Sequence, residues 1–157
     1  MKIISEQLLD EITHQAQHNP RLRMNHNLHE TVNDPIQRLL NAVEPNTYLP
    51  PHRHADKEET YLVLRGSLIT FFFDDEGNVT GSICLSPANG RYGLEIPRNT
   101  WHSIVVLESG TVIFEVKRGP YHPLPAEDVA PWAPLPAENE RCAAFIQQLL
   151  DREVPDV

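Results

Sequence analysis

Between residues 37 and 117 the chain breaks into seven short runs rich in Val, Ile, Phe, Tyr and Thr: 37–44, 59–64, 67–73, 79–85, 93–96, 100–107 and 111–117. Turn signals separate them, among them Arg65-Gly66, Asp74-Asp75-Glu76-Gly77-Asn78 and Ser109-Gly110. Strands this short and this numerous predict a barrel or a two-sheet sandwich. Fourteen prolines against seven glycines leave little room for a long-helix bundle. No internal repeat is present, and 157 residues suit a single domain with a real core.

Helical patterns flank the β region. Ser5 is a plausible N-cap, and Ile4, Leu8, Ile12 and Ala16 fall near one helical face within residues 1–20, which Asn19-Pro20 ends. Cys142, Phe145, Ile146, Leu149 and Leu150 recur at helical spacing within 137–152, just after Pro136. Residues 119–136 hold six prolines and no strand pattern. They read as an extended strap over the barrel or as a flexible linker; Tyr121, Val129 and Trp132 argue for packing. The expected layout is one domain over 1–157, with the barrel over 22–118.

Lys plus Arg number 13 and Asp plus Glu 22, a net charge of −9. Such a surface repels phosphate backbones and anionic lipid, so neither nucleic acid nor membrane is an expected partner. Cys84 and Cys142 are too few for a Cys-rich zinc site or a disulfide framework, and each reads as a small hydrophobe. The N-terminus lacks the apolar run of a signal peptide, and no stretch reaches the ~20 apolar residues of a membrane span, so the cytoplasm is the expected compartment.

The chemistry lies in Pro50-Pro51-His52-Arg53-His54-Ala55-Asp56-Lys57-Glu58-Glu59. His52 and His54 are two apart, which on a strand points both imidazoles to one face. Glu59 opens the next run and can return its carboxylate to the same side. His102 begins a distant run. Three His and one Glu converging inside a barrel make a divalent metal site. With two positions left open they suit Fe, Mn or Ni; Zn is the alternative, closed or with one water.

These residues resemble the cupin superfamily. Its first motif has the form G-x5-H-x-H-x3–4-E-x6-G, matched by His52, His54, Glu59 and Gly66, with Asn46 in place of the leading Gly. Its second, G-x5-P-x-G-x2-H-x3-N, is matched by Pro97 and His102, with Arg91, Asn99 and Val106 at the other positions. Asn tolerates the positive φ of a turn glycine, so the Asn99 change is mild. The resemblance implies a double-stranded β-helix, a jelly-roll barrel of the all-β class, with His52, His54, Glu59 and His102 as ligands. Gly66 sets the acid at Glu59, so Glu58 faces away. Nearly the whole chain is similar to the WbuC-like cupins, through Asn27-Leu28-His29, Asp34-Pro35-Ile36-Gln37-Arg38, Ala130-Pro131-Trp132-Ala133-Pro134 and other segments. That likeness implies a fold and a metal site rather than a particular reaction.

Arg38, Tyr61, Arg98 and Tyr121 are candidates for substrate contact, and Trp101 divides evenly between contact and core. Tyr61 stands two positions after Glu59 and should share its face. Tyr61 and His29 are the candidate bases, since Glu59 is taken as a ligand. His14 and His18 fit a solvated helix face better than a metal pair, and His122 reads as structural. The Phe71-Phe72-Phe73 triplet predicts core on one face and a sheet or dimer contact on the other. A homodimer is expected by analogy with small cupins. The functional expectation is a small metalloenzyme of isomerase, lyase or oxygenase type on a sugar-derived or oxoacid metabolite. A metal-dependent small-molecule binding or sensing module is the alternative. A metal-free sugar-nucleotide epimerase-type jelly roll would leave the His-x-His cluster unexplained.

Overall fold

A computed structural model describes residues 1–152; the last residues of the expected domain, 153–157, lie outside the described residues. All seven runs are strands, shifted by a residue or two at their ends. Preceded by α1 (Glu6–Gln17) and β1 (Arg23–Asn27), they are β2 (Ile36–Val43), β3 (Glu59–Arg65), β4 (Leu68–Phe73), β5 (Val79–Leu85), β6 (Gly93–Ile96), β7 (Trp101–Val106) and β8 (Thr111–Arg118); α2 (Asn139–Leu150) closes the chain. One antiparallel sheet has the order β1-β2-β8-β3-β6 and the other β5-β4-β7. This is the expected jelly-roll barrel.

Alternation along the strands sorts residues into three apolar layers. Between the sheets, Val43, Val63, Leu68, Leu85, Ile96, Ile104, Val106 and Ile113 form the barrel core. On the outside of the five-stranded sheet, Leu40, Ala42 and Val112 meet Leu9, Ile12 and Ala16 of α1. Burial of a side chain such as Ile12 contributes about 1.5–3 kcal/mol. Ser5 does cap α1, its Oγ accepting from the Leu8 N–H at 3.4 Å. The buried stripe is Leu9, Ile12, Thr13 and Ala16, however, and Ile4 is exposed. Ile4 precedes the cap, so it does not share the helical period. Leu150, in the last turn of α2, is likewise exposed.

The outer face of the small sheet is covered by the chain itself. Phe71, Phe73, Trp101 and Val105 pack against Ala130 and Ala133 of the proline-rich segment and Ile146 and Leu149 of α2. Phe73 lies 5.1 Å from Trp132, ring to ring. The segment is therefore a packed strap rather than a linker, and the Phe triplet owes its second face to intrachain packing rather than to a second copy. Cys84 is half-buried and Cys142 buried, both free.

Local backbone demands explain the motif's spacing. Gly66 has φ +82°, and a Cβ there would sit 2.7 Å from the Thr111 Cα. Asn46 and Asn99, which stand where the cupin pattern has glycine, adopt φ 69° and 59°. Asn is among the side chains that tolerate this region. No helix among the described residues is long and apolar enough to cross a membrane.

Candidate metal centre

Pro51–Arg53 lies between two neighbours. His52 exchanges backbone hydrogen bonds with His102 of β7, 3.0 and 2.9 Å long. On its other side, Arg53 N–H donates to the Asp128 carbonyl at 3.0 Å, and Ala130 N–H donates to the Pro51 carbonyl at 2.9 Å. The segment thus extends the small sheet and points His52 and His54 inward together. Glu59, the first residue of β3, faces them from the large sheet.

One potential ligand atom from each of His52, His54, Glu59 and His102 lies within 4.8 Å of all the others. Ligands at about 2.0–2.2 Å from an ion lie at most about 4.4 Å apart, so a contraction of a few tenths of an ångström suffices. The ring nitrogens are already oriented. His52 Nδ1 is 3.0 Å from the Pro50 carbonyl and His102 Nδ1 is 2.8 Å from the Thr100 carbonyl. Those bonds place the proton on Nδ1 and leave each Nε2 lone pair free, as in metal-binding imidazoles. His54 Nε2 donates to Glu59 Oε2 at 2.8 Å. A divalent ion must release that proton.

Burial, helped by neighbouring His102, pushes the His52 pKa down to about 3, and burial also lowers that of His102. Burial opposes ionisation of Glu59, but the His54 hydrogen bond and the Lys117 charge outweigh it and hold the carboxyl well below its ordinary range. Two neutral imidazoles beside an ionised carboxylate are the protonation states that metal ligands require. The donor set fits a borderline divalent ion such as Fe, Mn, Ni or Zn.

The cluster opens on a cavity of about 440 Å³, within the usual range for small-molecule sites. Of the sequence-predicted residues, His29, Tyr61 and Tyr121 line it with His52, Glu59 and His102 of the cluster. His54 is buried behind its bond to Glu59. Tyr61 is buried and its hydroxyl bonds to Thr70; burial pushes its acidity further from neutrality. His29 Nδ1 contacts the Arg38 backbone, 2.9 Å from its carbonyl. Arg38 and Arg98 do not line the cavity. Arg38 is exposed on the opposite strand parity from Gln37 and Leu39, and Arg98 pairs with Glu58 on the surface at 2.6 Å. Trp101 is buried in the outer layer.

The sequence reading missed a second charged pair. Lys117 and Glu115 of β8 also line the cavity, with Lys117 Nζ 2.5 Å from Glu115 Oε1 and 3.9 Å from Glu59 Oε2. Asn41 donates to Glu115 Oε2 at 2.5 Å. Burial and the Glu59 charge push Glu115 up to about 7; burial opposes protonation of Lys117, but its two acidic neighbours raise its pKa. Arg23, Asn25 and Asn27 of β1 and Gln37 of β2 complete the polar wall. The available signal was two charged residues at strand spacing inside an apolar run.

Residues 4–85 match the family described as Domain of unknown function (DUF6016). No curated protein is similar in sequence. Among solved structures, a protein from Acidithiobacillus ferrooxidans assigned as a sugar phosphate isomerase is 20% identical, with 74% of each chain covered and a TM-score of 0.54. Capsular polysaccharide assembling protein CapF from Staphylococcus aureus is 20% identical over 63% of this chain, with a TM-score of 0.52; the chain spans only 29% of CapF. A cupin-2 domain containing protein from Shewanella frigidimarina is 22% identical over 60% of this chain and 78% of its own, with a TM-score of 0.45. The structure neighbours are cupin-fold proteins, and the first two likenesses show the fold alone.

Proposed function

The chain belongs to the family described as Domain of unknown function (DUF6016), and we propose that it is a divalent-metal-dependent cupin enzyme. Its substrate is a small polar metabolite, sugar-derived or an oxoacid, and the reaction is of isomerase, lyase or oxygenase type. One observation carries this reading: a preoriented three-His, one-Glu cluster stands at the wall of a cavity whose remaining polar lining is rich in amides. When bound, a metal there supplies a Lewis acid for a carbonyl, carboxylate or hydroxyl.

The chain's own groups do the rest. The Asn25 and Asn27 side chains line the cavity and can both donate to and accept from ligand hydroxyls. Tyr121, exposed at the cavity, offers an aromatic face. Lys117, shared between two carboxylates, offsets part of their charge. His29, whose Nε2 is free of the Arg38 contact, is the better candidate to pass a proton, because the Tyr61 hydroxyl is engaged by Thr70. The same reading makes the chain a WbuC-like cupin, on its motif residues, and a cytoplasmic homodimer, with β1, β5 and β6 as unpaired sheet edges.

The test is element analysis of the purified protein, followed by product analysis with a sugar and oxoacid panel under air and under nitrogen. About one ion per chain and metal-dependent turnover are expected. Protein that stays metal-free after incubation with Fe, Mn, Ni and Zn ends the metal reading. Bound metal with no product from any substrate leaves the binding module.

A further inference from the structure

Arg53 stands between two ligand histidines, so its side chain leaves on the opposite face from theirs. Trp101 stands beside His102 and does the same. On that outer face the two side chains meet. The Arg53 guanidinium lies 4.5 Å over the Trp101 ring. Its Nε donates to Asp128 Oδ1 of the strap at 3.2 Å, and a terminal nitrogen is 3.6 Å from Asp75 Oδ1 in the β4–β5 turn. The Trp101 indole N–H donates to the same Asp75 oxygen at 2.9 Å. Asp128 is buried, and its carbonyl receives the Arg53 backbone N–H.

We infer that Arg53, clamped by Trp101, Asp75 and Asp128, is a positioning residue that fixes the His52–His54 segment and His102 in one geometry for metal. This rests on the metal reading above. Three separate parts of the chain (the strap, the β4–β5 turn and β7) converge on the one side chain that lies between two ligands. Its planar fork serves two carboxylates while its face covers an aromatic ring, a combination that lysine cannot reproduce. Partners that orient metal ligands typically change metal affinity 10–100-fold when lost.

The experiment measures zinc affinity by chelator competition, together with the melting temperature of the metal-free forms. The proteins are wild type, Arg53→Met, Arg53→Lys and Leu149→Ala. Leu149 packs in the same outer layer but touches no ligand segment through a hydrogen bond, so its truncation is a control for lost stability. Arg53→Met should weaken zinc binding at least about tenfold, and Arg53→Lys should not restore it. Leu149→Ala should stay within about threefold of wild type despite its lower melting temperature. Wild-type affinity in Arg53→Met, or an equal loss in Leu149→Ala, overturns the inference. If Arg53→Met does not fold, Asp75→Asn, on the exposed turn, should show a several-fold loss instead, and unchanged affinity there overturns it equally. Wild type that fails to bind zinc or any other divalent ion defeats the metal reading itself, which is a different result from a clamp that does not matter.

Discussion

The two ends of the barrel interior are built from the same strands and could hardly differ more. Along β3 the inward row runs Glu59, Tyr61, Val63; along β7 it runs His102, Ile104, Val106; along β8, read backwards, it runs Lys117, Glu115, Ile113. The register sets Glu59 opposite Lys117, Tyr61 opposite Glu115 and Val63 opposite Ile113. Within four residues each strand passes from ionisable to apolar. The closed end excludes water and supplies folding energy. The open end holds charged and polar groups whose burial is costly unless they are paired. Imidazole–carboxylate and lysine–carboxylate contacts meet that cost.

The largest effect expected at the open end is complete loss of metal in the His52→Ala, His54→Ala double variant, measured as ions per chain, with a folded barrel by circular dichroism. Truncation at the closed end should do the reverse. Leu68→Ala, at a fully buried position, should cost about 2–5 kcal/mol of stability by denaturant titration, with metal content retained. If Leu68→Ala lost its metal as readily as the histidine variant, the two ends would not be separable.

Acid should act mainly through the open end. The folded pKa of His52, about 3, lies below its unfolded value of 6.5, so between them the unfolded chain binds more protons and stability falls as pH falls. Glu59, also depressed, has the same sign. Glu115, raised from 4.5 to about 7, has the opposite sign in that window, since the folded state holds the extra proton. Metal-free protein should therefore change little between pH 7 and 4.5 and lose stability clearly from 4.5 towards 3, as followed by denaturant midpoints. A steady rise in stability over that lower range would contradict the burial of neutral imidazoles. The smallest effect belongs to Glu58→Gln. Glu58 is on the surface with Arg98, and surface pairs contribute little, so metal content and melting temperature should match wild type, whereas Glu59→Gln should weaken metal binding.

Much of this was legible in one dimension. The convergence of His52, His54, Glu59 and His102 could be read because strand parity converts His-x-His into two imidazoles on one face, and Gly66 resolves the choice between two adjacent glutamates. Strand positions were readable from β-rich runs and turn residues. Arg38 and Arg98 were misplaced for a related reason: composition nominates them, but their side chains lie on the outside of the barrel. The Glu115–Lys117 pair went unread because its relation to Glu59 exists only once β8 lies between β2 and β3. The helical stripe of α1 was shifted because Ile4 lies before the cap.

Local chemistry along the chain determined the barrel, its turns and the four residues of the candidate metal cluster, since each depends on spacing within a motif and on the two-residue period of a strand. Folding decided what surrounds them: which charges share the cavity, how the strap covers the Phe triplet, and how Arg53 reaches Trp101, Asp75 and Asp128. Those are contacts between residues tens of positions apart. They depend on sheet order and on the path of a proline-rich segment that carries no periodicity, so only the closed structure brings them together.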